Sequence, residues 1–177
     1  MEHSLSLSTI SVVECDLTID SYLNISAGVR GSSSIKKVDL SRNRVVYDKV
    51  AEALSKMLQG SVLTHLKMRH CDIKDNFGAL IFKNMSKSTL IESIDMMNNL
   101  LGDETARTIC RELKTAKTIT EMKLDQNIIK YKDQEEIESY LKANRYLSNA
   151  NLDIKYRQLR AVNREQEEKE KRLIEED

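Results

Sequence analysis

The chain has 177 residues, which is enough for one domain with a substantial hydrophobic core. Its 28 lysines and arginines are balanced by 28 aspartates and glutamates, so the formal net charge is zero. This balance argues against a general nucleic-acid binder or membrane-surface binder, because both need a basic excess. The sequence has no proline, no apolar run long enough for a membrane span, and no basic and apolar start typical of a secretory signal.

The cysteines and histidines do not form a pattern typical of chemistry. Three cysteines without a Cys-x-x-Cys pair fit a reducing compartment, and we therefore predict a cytoplasmic protein. His65 and His70 are not spaced for one helical face, and no third histidine is near them in the sequence. Phosphate-binding and nucleophile-elbow motifs do not occur. We expect no catalytic residue, no metal and no cofactor.

An internal repeat runs along the chain in steps of 28 residues. Its template is L-x-x-L-x-L-x-x-N/C-x-L, with other apolar residues allowed at the leucine positions. Copies begin at residues 7, 35, 63, 91, 119 and 147, and the sixth is partial, with only Leu147, Ala150 and Leu152 in place. The alternating apolar residues of each copy predict a short strand, because alternate side chains of a strand point to the same side.

The ninth position of the repeat carries asparagine or cysteine. Its occupants are Cys15, Asn43, Cys71, Asn99 and Asn127. The chain turns out of the strand here, and a buried polar side chain satisfies backbone groups that no strand pairing reaches. We interpret Cys15 and Cys71 as structural residues at this position and not as redox or metal-binding groups.

The stretch between strands has apolar residues with helical spacing. The sets are Val50, Ala53, Leu54 and Met57; Gly78, Ile81, Phe82 and Met85; Ala106, Ile109, Cys110 and Leu113; and Ile137 with Leu141. Asp48, Asp103 and Asp133 precede or open these helices, where a carboxylate binds free amides and complements the helix dipole. Each repeat is therefore predicted to be a strand, a turn, a helix and a return.

The repeat predicts an α/β leucine-rich-repeat solenoid. Successive parallel strands need crossover helices, and helices are wider than the strand spacing, so the stack curves into a horseshoe segment. The parallel sheet forms the concave face and the helices form the convex face. The stretch from Asn98 to Ala106, together with the mixture of cysteine and asparagine, resembles the ribonuclease-inhibitor-like subclass of leucine-rich repeats. The resemblance covers roughly residues 7 to 152.

The two ends differ from the middle of the chain. We place the repeat domain at residues 1–152 and a charged helical C-terminal extension at residues 153–177. Polar residues weaken the first helix, around Asp20 to Val29, so the first repeat is either a solubilising cap or a site where a partner continues the stack. The extension carries i, i+4 Glu–Lys and Glu–Arg pairs and is typical of a solvated helix. Its apolar end, Leu173 and Ile174, either docks on a partner or frays.

The outward strand positions of the concave face are the candidate binding surface. Asp39, Lys67, Asp95 and Lys123 would lie side by side with alternating sign, and such a row satisfies itself. A positive cluster on repeats two and three, with Asp39 as its only close acid, would instead attract an acidic protein surface or peptide, with Met97 as an apolar rim contact. The predicted partner-binding residues are Lys37, Arg42, His65, Lys67, Arg69, His70 and Met97. Ordinary solvated charge is the alternative explanation of the cluster.

The leading functional prediction is a non-enzymatic protein–protein interaction module that acts as a small structural subunit of a cytoskeletal or ciliary (axonemal) assembly. Residues 119–147, which end in the helix around Ile137 and Leu141, are also similar to the last repeats of the tropomodulin family, and this similarity implies an actin regulator. A third alternative is a small-GTPase regulator of the Ran-activator type, which has the same repeat subclass. We expect other proteins as partners, with no nucleic acid and no membrane.

Overall fold

The computed structural model describes residues 7–83 and 85–175, and it describes side chains as far as residue 160 except at 156 and 159. Five strands alternate with helices. The strands are β1 (Thr9–Ser11), β2 (Lys37–Asp39), β3 (His65–Lys67), β4 (Ser93–Asp95) and β5 (Glu121–Lys123). The helices are α1 (Ile19–Gly31), α2 (Asp48–Gly60), α3 (Asp75–Phe82), α4 (Asp103–Leu113) and α5 (Tyr131–Glu175), with a short 3₁₀ turn at Met85–Lys87.

The strands form one parallel sheet in chain order, from β1 to β5. Each strand residue pairs with the residue 28 positions later, as in Ile10 with Val38 and Val38 with Leu66. The predicted repeat step is therefore the register of the sheet. The predicted α/β leucine-rich-repeat architecture is confirmed.

The core lies between the sheet and the helices. The central residue of each inner strand, such as Leu66 or Ile94, is buried, and so are the apolar helix positions, such as Leu54 and Ile109. The two flanking strand residues point away from the helices and form the concave face. Because successive side chains of a strand point to opposite faces, the buried central residue places its two neighbours on the face away from the core.

The asparagine side chains at the ninth position connect neighbouring repeats. Asn43 Nδ2 donates to the backbone carbonyls of Val12 at 2.7 Å and Leu40 at 3.0 Å, while its Oδ1 accepts the N–H of Cys15 at 2.9 Å. Asn99 makes the equivalent hydrogen bonds between repeats three and four, including one from the N–H of Cys71 at 2.9 Å. Each asparagine therefore satisfies buried backbone groups of two repeats.

Cys71 occupies the same position as a buried thiol. Its Sγ donates to the carbonyl of Arg69 at 3.3 Å and of Leu40 at 3.5 Å. Burial raises the pKa of the Cys71 thiol to about 11, even though hydrogen bonds with the backbone of Asn43 and Arg42 oppose the shift. A thiol that stays protonated is a poor nucleophile, which agrees with the structural interpretation of this residue.

The predicted sixth repeat does not form as a strand. Leu147, Ala150 and Leu152 lie inside α5, and the first compact unit ends at Asn144, before the predicted boundary at residue 152. No glycine or proline occurs from residue 131 to the C-terminus, and the stretch is rich in glutamate, leucine, lysine and arginine. These residues favour a helix, and no stop signal interrupts it, so the helix that begins at Tyr131 continues.

The first part of α5 closes the core of this unit. Ile137 and Leu141 are buried with the rest of the core. Asn144 is fully buried, and its Nδ2 donates to the backbone carbonyls of Ala116 at 2.9 Å and Ile119 at 2.8 Å. The Asn144 side chain thus anchors the segment that leads from α4 to β5.

Candidate concave binding surface

Strand pairing brings the predicted cationic residues of β2 and β3 together. Lys37 lies beside His65, and Asp39 lies beside Lys67, on directly adjacent strands. Since Lys37 and Asp39 lie two residues apart on one strand, all four side chains point to the same side of the sheet. His65 Nδ1 is 2.8 Å from the hydroxyl of Thr64, which holds the ring in place.

Arg42 and His70 are placed by a recurring left-handed turn after each strand. The backbone φ angle is 60° at Arg42 and 53° at His70. The eighth position of every described repeat adopts this conformation, at Glu14, Arg42, His70, Asn98 and Gln126. The turn lifts these side chains out of the strand and sets them in one row at the edge of the concave face.

Two of the predicted cations are already bound to acids of the same chain. Arg42 forms an ion pair with Glu14 at 3.0 Å, in which both side chains are largely exposed. Arg69 binds Asp95 Oδ2 through Nε at 2.7 Å and Nη2 at 2.5 Å. The expectation that Asp39 is the only close acid is therefore wrong, because Glu14 and Asp95 are close as well.

Asp95 belongs to the predicted row of alternating charges, but its carboxylate does not pair along that row. It does lie beside Lys67 and Lys123 on the sheet. However, its carboxylate is buried against Arg69, and its Oδ1 accepts the N–H of Met97 at 3.3 Å. Asp95 is therefore an anchor for Arg69. Arg69 and Asp95 are 26 residues apart in the sequence. The repeat register pairs Asp95 with Lys67, and Arg69 follows Lys67 by two residues, so the sequence already indicated that Arg69 and Asp95 are close.

Repeat five adds an arrangement that the sequence pattern did not predict. Glu121 accepts the Ser93 hydroxyl at 2.6 Å and forms an ion pair with Lys123 at 3.4 Å. Hydrogen bonds from Ser93, opposed by partial burial and aided by Lys123, hold the pKa of the Glu121 carboxyl below its ordinary value. The positive charge of Lys123 is thus compensated locally.

Two lysines of the predicted cluster, Lys37 and Lys67, remain without a bound acid among the described residues, with His65 directly beside Lys37. Both lysines are exposed, and neither forms an ion pair within the part of the chain that the structure describes. Met97 is half-buried next to the Arg69–Asp95 pair. The concave face therefore presents a small positive area that is bordered by internal ion pairs.

Two further observations concern metal-ligating side chains and apolar helices. Within residues 7–83 and 85–175, no cluster of histidine, cysteine, aspartate and glutamate side chains has the geometry to hold a metal ion. Across the same described ranges, none of the helices combines the length and the apolar composition needed to cross a bilayer.

The comparison with known proteins agrees with the repeat architecture. No protein-family profile matches the chain. Mouse (Mus musculus) ribonuclease inhibitor is 26% identical over 118 residues, a stretch that covers 66% of this chain but only 26% of that protein. The chain thus spans about a quarter of the length of this relative.

Two solved structures share the fold. The actin-binding site 2 domain of leiomodin-1 superimposes with a TM-score of 0.75 at 18% identity, covering 85% of this chain and 88% of the other. The C-terminal domain of Caenorhabditis elegans tropomodulin gives a TM-score of 0.72 at 12% identity, covering 84% and 90% of the two chains. With strands paired in register every 28 residues, the chain has a leucine-rich-repeat fold, and its sequence is similar to part of ribonuclease inhibitor.

Proposed function

We propose that the chain is a non-enzymatic interaction module of the cytoskeleton that binds actin. The observation that carries this proposal is the likeness to the actin-binding site 2 domain of leiomodin-1, which extends over 85% of the chain. The likeness to the tropomodulin domain supports the same class of function. An axonemal subunit and a small-GTPase regulator stay narrower predictions, and neither fold relative favours them.

We further propose that Lys37 and Lys67 contribute an electrostatic contact to an acidic surface of the partner. They are exposed and lie diagonally on adjacent strands, where Lys37 is beside His65 and Lys67 is beside Asp39. Complementary charge accelerates association and weakens with salt, whereas each exposed contact adds little affinity by itself. The two lysines would therefore mainly increase the association rate and orient the partner, and would contribute less to the affinity.

The experiment is co-sedimentation with filamentous actin and, in parallel, a pyrene-actin assembly assay. The test variant is Lys37→Glu with Lys67→Glu, and the control is Lys49→Glu with Lys56→Glu on the exposed side of α2. Arg69 is left intact, because reversing its charge would leave Asp95 buried beside a second carboxylate.

We expect the wild-type chain and the α2 control to bind actin in both assays or in one of them. The concave variant should bind about tenfold more weakly at low salt, with a smaller difference at high salt. No binding by the wild-type chain to filaments or monomers would remove the actin proposal. Equal binding by both variants would remove the role of Lys37 and Lys67.

A further inference from the structure

The tenth position of the repeat changes character along the stack. It follows the asparagine or cysteine and lies where the chain leaves the strand for the helix. Its occupants are Asp16, Arg44, Asp72, Leu100 and Ile128. Arg44 and Asp72 form an exposed ion pair at 2.9 Å between repeats two and three. The first three repeats thus show that this position accepts charged residues.

Leu100 and Ile128 occupy the same position in repeats four and five without being buried. Their side chains are 46% and 67% exposed, and Tyr131, three residues after Ile128, is 74% exposed. The Ile128 N–H donates to the Leu101 carbonyl at 2.9 Å, which places the two repeats side by side here. Because Arg44 fits the same turn, folding does not require an apolar residue at position 100 or 128.

Polar pairs border these three side chains, which we call the rim cluster (Leu100, Ile128 and Tyr131). Asn98 donates to Gln126 on one side, and Lys130 forms an ion pair with Asp103 on the other. An exposed apolar group with a polar border is typical of a protein-binding site, and tyrosine is enriched at such sites. These four bordering side chains pair with each other within the chain.

We propose that the rim cluster is a docking surface for one short amphipathic helix of another protein. The Leu100 N–H donates to Ile73 and the Ile128 N–H donates to Leu101, so neither is free to pair with an added strand. A helix satisfies its own backbone and needs only side-chain contacts. Leucines at i and i+4 on a helix are about 5–6 Å apart, close to the roughly 4.8 Å between adjacent strands.

The size of the cluster favours a short segment over a second copy of the chain. Three partly exposed side chains offer at most about 400 Å². A stable interface needs about 800 Å² from each partner. A helix that seats two or three apolar side chains matches the smaller area. The proposal concerns a surface separate from Lys37 and Lys67, so it stands or falls independently of actin binding.

The test uses the full chain with labelled leucine and isoleucine methyl groups, observed by NMR. Three synthetic helical peptides with one common charged face are added in turn. The first carries leucines at i and i+4, the second has alanines there, and the third has the leucines moved to opposite faces. The variant Leu100→Arg with Ile128→Asp extends the Arg44–Asp72 row of charges and should retain the fold, as checked by circular dichroism and thermal unfolding.

The proposal expects saturable shifts of the Leu100 and Ile128 methyl signals with the first peptide alone. The variant should bind that peptide about tenfold more weakly or not at all. The idea is overturned by the absence of saturable shifts, by equal binding of all three peptides, or by unchanged binding to the variant. Concentration-dependent dimerisation of the wild type that the variant lacks, measured by sedimentation, would also overturn it in favour of a second copy.

Discussion

Thr105 donates two hydrogen bonds to Asp75 across two neighbouring repeats. The Thr105 N–H donates to Asp75 Oδ1 at 2.8 Å, and the Thr105 hydroxyl donates to the Asp75 carbonyl at 2.8 Å. The same carboxylate accepts the N–H groups of Gly102 at 2.9 Å and Glu104 at 3.0 Å. A residue at the start of α3 therefore caps the N-terminus of α4 and joins repeats three and four.

This cap should contribute measurably to stability. Replacing Asp75 by alanine removes all the side-chain acceptors of the α4 amides, and we expect the free energy of unfolding to fall by about 1–2 kcal/mol. Asp48→Ala is the matched control, because Asp48 opens α2 in an exposed position and α2 has no side-chain cap hydrogen bond. Urea unfolding followed by circular dichroism measures both. Equal losses in the two variants would contradict the assignment of Asp75 as a specific cap.

Stability should fall in mild acid because two carboxylates are held ionised. Burial disfavours the charged form of Asp75, but hydrogen bonds from Thr105, Glu104 and Gly102 outweigh it and lower its pKa below 3.8. Burial likewise opposes ionisation of Glu112, but hydrogen bonds from Ser86 and Arg111 lower its pKa below 4.5. A lowered pKa stabilises the fold above the unfolded-state pKa, and this contribution disappears as the pH falls through the folded-state pKa.

The measurement is urea unfolding from about pH 7 to about pH 3, comparing the wild type with Asp75→Asn combined with Glu112→Gln. The wild type should be more stable at neutral pH, and the difference should shrink below about pH 4.5, where these groups begin to protonate in the unfolded chain. A gap that stays constant over the whole range would show that neither carboxylate titrates differently in the folded state.

Gly78 should not tolerate a methyl group. A Cβ atom at this position of α3 would overlap the side chain of Thr105 and come within 2.5 Å of Leu101 Cδ2. We expect Gly78→Ala to destabilise the chain by about 1–3 kcal/mol, as in other overpacked cores. Gly28→Ala is the matched control within α1, because nothing lies within 4 Å of its Cβ, and it should stabilise by about 0.5–1 kcal/mol. Thermal unfolding of both variants measures these changes in stability. A Gly78→Ala variant that is as stable as the wild type would contradict the close packing of α3 on α4.

Asn99 should be among the least replaceable polar residues. Asn99→Ala leaves the N–H groups of Cys71 and Ile73 and the carbonyls of Met68 and Met96 without their partner. We expect a loss of at least about 2 kcal/mol in the free energy of unfolding. Asn99→Cys should cost less, because cysteine occupies this position natively in repeat three.

Asn149→Ala, at an exposed position of α5, serves as the control for Asn99 and should change stability by less than about 0.5 kcal/mol. Chemical unfolding of the three variants under one condition measures the order. If Asn99→Cys were as damaging as Asn99→Ala, the two residues would not be interchangeable at this position.

The repeat itself could be predicted because it depends on short-range patterns. The alternation around Val38 or Leu66 and the asparagines at a constant position each report a local environment that recurs every 28 residues. The positive cluster was predicted less well. Register placed Lys37, His65 and Lys67 together as expected, but Arg69 turned out to be bound by Asp95. Side-chain pairing between repeats depends on rotamers and burial, which a linear pattern does not contain.

The sequence by itself determined the strand positions, the helix faces and the structural role of Cys71 and the asparagines, because burial of one apolar row per repeat dictates them. Only the tertiary structure decided that residues 147–152 continue α5 in place of a sixth strand. Their apolar spacing is compatible with both, and helix propensity without a breaker outweighs a weak strand pattern. Among the described residues, the tertiary structure likewise decided which groups pair within the chain: Arg42, Arg69 and Asp75 do, whereas Lys37 and Lys67 form no ion pair and the rim cluster is exposed.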